Sequence, residues 1–332
     1  MKPFCFKNVF EYKPYHCMRK IILLLTLFLL SNLKLQAQTD EARIHLPTPT
    51  GIWQAEVRYM NMDQNLLVFG NYYTPVIKAE ANVIPVTLSH TFGIRGKWAK
   101  VSAMVARVTS FNVTLKETPI PDAQEKGFAD GYIAFEMGII NNDAKNSTDF
   151  FETNPEKFNM NGLFRFWYSD KTSYSSDNLI NIGSNRMAFE FGLPMQIRIN
   201  NNTSKILWLE TCPGIQFFTP NDEASRGGFG KMTQKALFYL ENHLSYNVTS
   251  KFYGGITVTY KQGGQAFYER LLVRGANQIS ILNGGVFLGY KIIPSLEFKA
   301  SFDSLVFGES RVTYQEVGAG LVFSCFDLKL KQ

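Results

Sequence analysis

Cysteine is scarce in this chain: four residues in 332, at positions 5, 17, 212 and 325. The last two have neither C-x-x-C nor Cys/His spacing, so no disulfide framework and no metal cluster is encoded, and both read as incidental. Charge is scarce too, at 19%. The formal balance of +6 is uneven, because Lys2, Lys7, Lys13, Arg19, Lys20 and Lys34 stand against Glu11 alone in residues 1–37. The remainder holds 28 basic and 27 acidic residues, which removes the electrostatic footprint of a nucleic-acid binder. Beyond residue 37 no apolar run approaches the ~18 residues of a membrane-spanning helix, which excludes a helical membrane protein. Yet 45% of residues are hydrophobic and 14% aromatic. That apolar surface needs a phase to face.

The basic excess belongs to a leader. Ile21 to Leu30 is apolar apart from Thr26, follows Arg19 and Lys20, and precedes Leu35-Gln36-Ala37. This is the order of a secretory signal peptide, and its core is too short for the ~20 residues needed to span a bilayer. Residues 1–37 are therefore predicted to be cleaved after Ala37, leaving Gln38 first. Met18 directly precedes the basic pair, which suggests a start there. No cysteine follows the apolar core within reach, so lipid modification is not encoded.

The body alternates with a period of two. Trp53, Ala55, Val57 and Tyr59 stand against Gln54, Glu56 and Arg58. From Met187, the residues Phe189, Phe191, Leu193, Met195, Ile197 and Ile199 share one face, with Glu190, Gln196, Arg198 and Asn200 on the other. Successive strand side chains point to opposite faces, so these are strands between a greasy phase and a wet one. The same pattern predicts strands at 84–94, 99–105, 133–139, 238–248, 252–260, 282–292, 296–302 and 317–323.

A soluble sandwich buries the apolar face inward; a membrane barrel turns it outward. Most runs exceed the ~5–6 residues of soluble strands and match the ~9–11 of a tilted membrane strand. Aromatics gather near strand ends, among them Trp53, Tyr59, Phe92, Trp98, Trp167, Tyr168, Phe217, Phe252, Tyr290 and Tyr314, as interfacial girdles do. The predicted fold is all-β, an antiparallel transmembrane β-barrel. Short connections at 95–97, 201–204, 249–251 and 293–295 alternate with longer polar ones at 61–81, 110–128, 170–185, 219–233, 263–277 and 303–311. Bacterial barrels have short periplasmic turns, long external loops and an even strand number. With the first strand starting at Gly51 and Leu66 to Tyr73 in a loop, the count is about twelve; it becomes about fourteen if that segment and one more are strands. The connection Asn141 to Asn161 is long where a short turn is due.

Leu46-Pro-Thr-Pro-Thr-Gly51 before a long alternating strand, Gly127-Phe-Ala-Asp-Gly131, Asp177-Asn-Leu-Ile-Asn181, and the punctuation by Gly254-Gly255 and Gly284-Gly285 carry a resemblance. Over residues 46–323 the chain resembles the outer-membrane transporter family of the MetA pathway of phenol degradation. The resemblance implies a barrel that passes hydrophobic or aromatic small molecules. The ending Phe323-Ser-Cys-Phe-Asp-Leu-Lys-Leu-Lys-Gln332 lacks a terminal Phe, so the barrel assembly machinery would read Phe323 or Phe326. The expected organisation is a signal peptide at 1–37, a periplasmic segment or small plug at 38–50, a barrel at 51–324 and a tail at 325–332.

With the apolar face outward, the inward face carries Gln54, Glu56, Arg58, Glu136, Glu190, Gln196, Arg198, Glu241, His243, Glu297 and Lys299. Charges of mixed sign in a lumen cross-link the barrel, or select solutes at a constriction, for which Glu56, Arg58, Glu190 and Arg198 are candidates. His243 and Ser245 lie two apart on one strand face, and a base beside a hydroxyl is what an acyl hydrolase needs. Outer-membrane phospholipases resemble this in a His-x-Ser pair, but theirs precedes Asn-Gly and faces lipid, whereas here Tyr246 and Asn247 follow. The Gly-rich Ser225 to Gly230 lacks a following Lys-Ser/Thr, which argues against phosphate binding, and Lys261 to Gln265 reads as a bend. Asp122, Asp130, Asp143, Asp149 and Glu152 form no Ca²⁺ loop pattern. No cofactor or metal is expected. The leading expectation is a passive channel in the cell outer membrane for small hydrophobic solutes, contacting outer-membrane lipids and lipopolysaccharide. The alternatives are a barrel hydrolase using His243 and Ser245 and an adhesion or structural barrel.

Overall fold

The computed structural model describes residues 42–67, 76–115, 122–170, 174–175, 181–202, 205–223, 230–269, 279–308 and 312–326. The predicted signal peptide, residues 38–41 of the predicted periplasmic segment, most of the Leu66 to Tyr73 segment, the Ser225 to Phe229 stretch and the last six residues of the tail lie outside the described residues.

In chain order the strands are β1 (Ile52–Leu67), β2 (Val76–Ile94), β3 (Lys97–Leu115), β4 (Ala123–Ile140), β5 (Phe158–Tyr168), β6 (Ala188–Gly192), β7 (Met195–Arg198) and β8 (Leu207–Phe218). They continue with β9 (Met232–Gln234), β10 (Leu237–Asn247), β11 (Phe252–Gly263), β12 (Ala266–Tyr268), β13 (Ile279–Ile293), β14 (Leu296–Gly308) and β15 (Val312–Phe326). Each barrel strand pairs antiparallel with its neighbour, β8 bonds β10, and β15 returns to β1, so the sheet closes on itself. Twelve walls result, with β6 and β7 together making one. Closure removes the unpaired edges that a bilayer does not tolerate.

β6 and β7 are one strand interrupted at Leu193-Pro194. The register does not slip across the break, since Gly192 faces Gly214 and Met195 faces Thr211. Pro194 and Pro213 have no N–H to give, so the ladder thins there. Leu193 N still donates to Pro213 O at 3.0 Å and Asn161 N to Pro194 O at 2.8 Å, which holds the wall together.

The period-two pattern has the predicted meaning. Val57, Val86, Leu88, Phe191, Val286 and Leu321 are exposed on the outer face, while Glu136, Glu190, Gln196, Glu241 and His243 are buried on the inner one. In the girdle, the rings of Trp53 and His90 stack with centroids 4.3 Å apart.

Several predicted loops are strand instead. β2 and β3 are 19 residues each, so β1 runs through Leu66 and Leu67, much of 110–128 is ladder, and 303–308 lies within β14. A strand of that length spans about 60 Å, far more than the ~25 Å apolar band requires even when tilted. Beyond that band the pattern reverses while the backbone ladder continues: Ala79, Ala81, Val83, Phe111 and Val113 are buried inward, and Glu80, Asn82 and Asn112 face outward, so apolar-out alternation no longer marks the strand. β9 and β12 form a separate two-stranded ladder beyond the barrel wall.

The connections at 95–96, 248–251 and 294–295 are tight, as expected. Arg95 and Gly96 both have positive φ, 49° and 79°, the backbone of a type I′ hairpin turn that matches the twist of its strands. The long connection after β4 holds a short helix α1 (Ser147–Glu152), started by Asn146, whose Oδ1 accepts the Asp149 N–H at 3.0 Å.

Candidate functional site: the lumen and its strap

The lumen has two halves. At the end of the tight turns, periplasmic in bacterial barrels, residues 42–50 lie inside the barrel as a strap. His45 is 4% exposed, and its Nδ1 stands 3.1 Å from Glu136 Oε2. The same carboxylate faces Lys100 Nζ at 3.0 Å, and its other oxygen accepts from Asn161 at 2.7 Å. Lys100 also donates to Ile44 O at 2.7 Å. Arg43 N donates to Glu210 Oε1 at 2.8 Å, its Nη1 donates to Asn247 at 2.7 Å, and its guanidinium covers the Tyr253 ring at 4.1 Å. Arg43 adopts φ +69°, a left-handed conformation that a non-glycine residue enters only where its surroundings hold it there. At the rim the strap is tied down by Thr50 N to Lys145 O, 2.8 Å, and by Thr91 Oγ1 to Pro49 O, 2.7 Å.

The strap leans on the wall containing Glu136, Glu210 and Tyr253. Toward β14, β15, β1 and β2 it leaves a cavity of about 730 Å³ whose lining includes Ile44, Leu46, Trp98, Glu56, Glu297 and Lys299.

Above this level the inner wall divides. β1 to β6 present a methionine-rich apolar face: Met60, Met62, Met104, Val108, Phe111 and Trp167 belong to one buried cluster, which Ile182 joins from the connection after β5. β11 and β13 to β15 present Thr259, Lys261, Asn283, Asp303 and Glu316, all buried.

All the predicted lumen residues face inward, and their partners divide them into separate clusters along the wall. Gln54 Nε2 donates to Ser324 Oγ at 3.3 Å. Glu56 stands 3.7 Å from Lys299, and Arg58 stands 3.6 Å from Glu316 while donating to Ser301 Oγ at 2.5 Å. Glu297 accepts from Tyr253 Oη at 2.6 Å. Glu190, across the barrel, accepts from Arg165 at 2.9 Å, Trp167 Nε1 at 2.7 Å and Tyr239 Oη at 2.8 Å. Glu136 belongs to the strap seat. Gln196 lies between Asn159 and Glu210 in the ladder, Arg198 opposite Trp208, and Glu241 between Cys212 and Thr259. Of the four residues predicted for one constriction, Glu56 and Arg58 belong to the β14–β15–β1 cluster and Glu190 to the Arg165 cluster.

His243 and Ser245 share the inner face, buried at 3% and 0% exposure, with His243 Nδ1 2.9 Å from Thr257 Oγ1. Both are turned away from the lipid side. Cys212 is buried, Cys325 is exposed, and both are free thiols. Among the described residues no three His, Cys, Asp or Glu side chains gather as a metal site.

At the loop end, Asn221 ties two loops together. Its Nδ2 donates to Ser184 O at 3.1 Å, Asn185 donates to its Oδ1 at 3.0 Å, and Tyr174 Oη donates to Glu223 O at 2.6 Å. Burial raises the Tyr174 phenol above its ordinary pKa.

Sequence reasoning did not single out Lys100, Arg165, Glu210 or Glu316. For Lys100 and Arg165 the available signal was parity with neighbours, and it failed because β3 to β6 are apolar on both faces: Met104 and Val108 point in while Val101 and Val105 point out.

An outer-membrane channel from Pseudomonas putida F1 superposes with TM-score 0.70 at 12% identity, covering 87% of this chain and 100% of that one. The chain has the fold of an outer-membrane channel barrel. The transport unit of the autotransporter AIDA-I from Escherichia coli is also similar, with TM-score 0.50, 11% identity, and coverage of 90% of this chain and 97% of that one. No protein-family model matches the sequence, and no curated protein matches it significantly.

Proposed function

We propose that the protein is a passive outer-membrane channel for small hydrophobic or aromatic solutes. The observation that carries this reading is the apolar inner wall of β1 to β6, around Met60, Met62, Val108, Phe111 and Trp167. An aqueous pore gains nothing from such a wall, since its lumen is polar. A solute that sheds water gains from it, and flexible thioethers accommodate varied shapes. The fold shared with a channel and the resemblance to the MetA-pathway transporters point the same way. In this reading the segment 1–37 is removed after Ala37 on export, and the exposed belt around Val57, Leu88 and Leu321 meets outer-membrane lipid and lipopolysaccharide. Phe323 and Phe326, both exposed on β15, are what the chain offers to the barrel assembly machinery. The test is uptake of labelled naphthalene by cells in which this protein is the sole route for aromatics. Faster uptake than in cells without it supports the reading, and equal rates overturn it.

A further inference from the structure

Three long inward side chains lie across the wall of the lumen, each passing over a glycine of the adjacent strand to bond the strand beyond. Tyr239 of β10 crosses Gly214 of β8 and reaches Glu190 of β6 at 2.8 Å. Tyr253 of β11 crosses Gly289 of β13 and reaches Glu297 of β14 at 2.6 Å. Arg58 of β1 crosses Gly320 and Gly318 of β15 and reaches Ser301 of β14 at 2.5 Å.

Tyr239 with Gly214, Tyr253 with Gly289 and Arg58 with Gly320 are directly opposed ladder partners, so the arrangement recurs at three places around the barrel. A Cβ added at Gly214 or Gly289 would fall within the tyrosine ring, and one added at Gly318 within the guanidinium. Glycine is needed here for space, since no larger residue lets a side chain rest on the backbone.

We propose that Gly214, Gly289 and Gly318 set the bore of the channel. Their niches hold three bulky side chains flat, and filling a niche drives the side chain above it into the passage. This rests on the channel reading given above. One further niche supplies an internal control. Gly131 is opposed to Tyr168 on the outer face, and a Cβ there meets the Tyr168 ring and the Met104 backbone carbonyl, so Gly131→Ala brings similar crowding from the lipid side of the wall.

The experiment measures initial naphthalene uptake by cells carrying wild type, Gly289→Ala, Gly318→Ala, Gly131→Ala or Gly289→Ala/Tyr253→Ala, with heat-modifiable gel mobility reporting folded barrel. Gly289→Ala and Gly318→Ala are expected to lower uptake at least about threefold per folded barrel, as for any narrowed constriction. Gly131→Ala is expected to match wild type, and the double variant to recover because the displaced ring is gone. Should Gly289→Ala fail to fold, Gly318→Ala decides alone, since its neighbour is the movable end of an arginine. Wild-type rates in both single variants, equal loss in Gly131→Ala, or no recovery in the double variant overturn the proposal. Wild-type uptake no faster than background overturns the channel reading itself, and the proposal with it.

Discussion

His45 and Glu136, 91 residues apart in the chain, meet 3.1 Å apart inside the barrel. Lys100 joins the same carboxylate, so a strap that enters from the rim is seated by charge and hydrogen bonds more than by apolar packing. Such a seat is strong only while water is kept out. The strap also determines which side of the periplasmic mouth remains open, because the cavity lies on its far side, toward β14, β15 and β1.

Removing the strap is expected to widen the passage. Deletion of residues 42–48 should raise naphthalene uptake several-fold while the barrel still folds, because the wall closes through β15 and β1 without it. Arg43→Ala with His45→Ala should act in the same direction and less strongly. Unchanged uptake in the deletion would mean that solutes already pass unhindered beside the strap.

Glu190 is the hub of a buried cluster with Arg165, Trp167 and Tyr239. Glu190→Ala leaves the Arg165 guanidinium buried without its carboxylate, which costs ~3–5 kcal/mol. Urea unfolding of the purified barrel in detergent should show a loss of that size. Replacing both Glu190 and Arg165 by leucine should cost much less, as the charge to be compensated is gone.

Met62 is 3% exposed on the apolar inner wall. Met62→Lys places an ammonium where solutes are proposed to shed water, and naphthalene uptake should fall about tenfold, the effect of ~1.4 kcal/mol on a partition step. Met62→Leu should retain the wild-type rate. Equal uptake in the lysine variant would remove the apolar wall from the path.

Leu88 is 50% exposed and flanks Val57 and Val86 in the outer belt. Leu88→Arg should destabilise the barrel in bilayers by ~2–4 kcal/mol, the penalty of an arginine near the midplane. The same change at Thr109, exposed near the loop end of β3, should cost less than about 1 kcal/mol. Folding titrations in lipid vesicles give both values, and similar costs would mean that the belt is placed wrongly.

The sequence alone determined which strand face meets lipid, the even strand count and the tight turns, because side-chain alternation and turn chemistry are local properties. Trp53 to Tyr59 and Met187 to Ile199 alternate visibly, and the turn at Arg95-Gly96 needs only the backbone dihedrals of those two residues. Only the tertiary structure decided how far the strands extend and who pairs with whom. The upper parts of β2 and β3 carry the opposite alternation, with Ala79, Ala81, Val83, Phe111 and Val113 buried inside and polar residues outside, so a search for apolar-out strands ends too early. Arg58 finds Glu316, and His45 finds Glu136, through closure of the sheet and the folding back of the strap. Those meetings depend on β15 lying beside β1 and on a chain segment entering the lumen, and neither is set by any stretch of neighbouring residues.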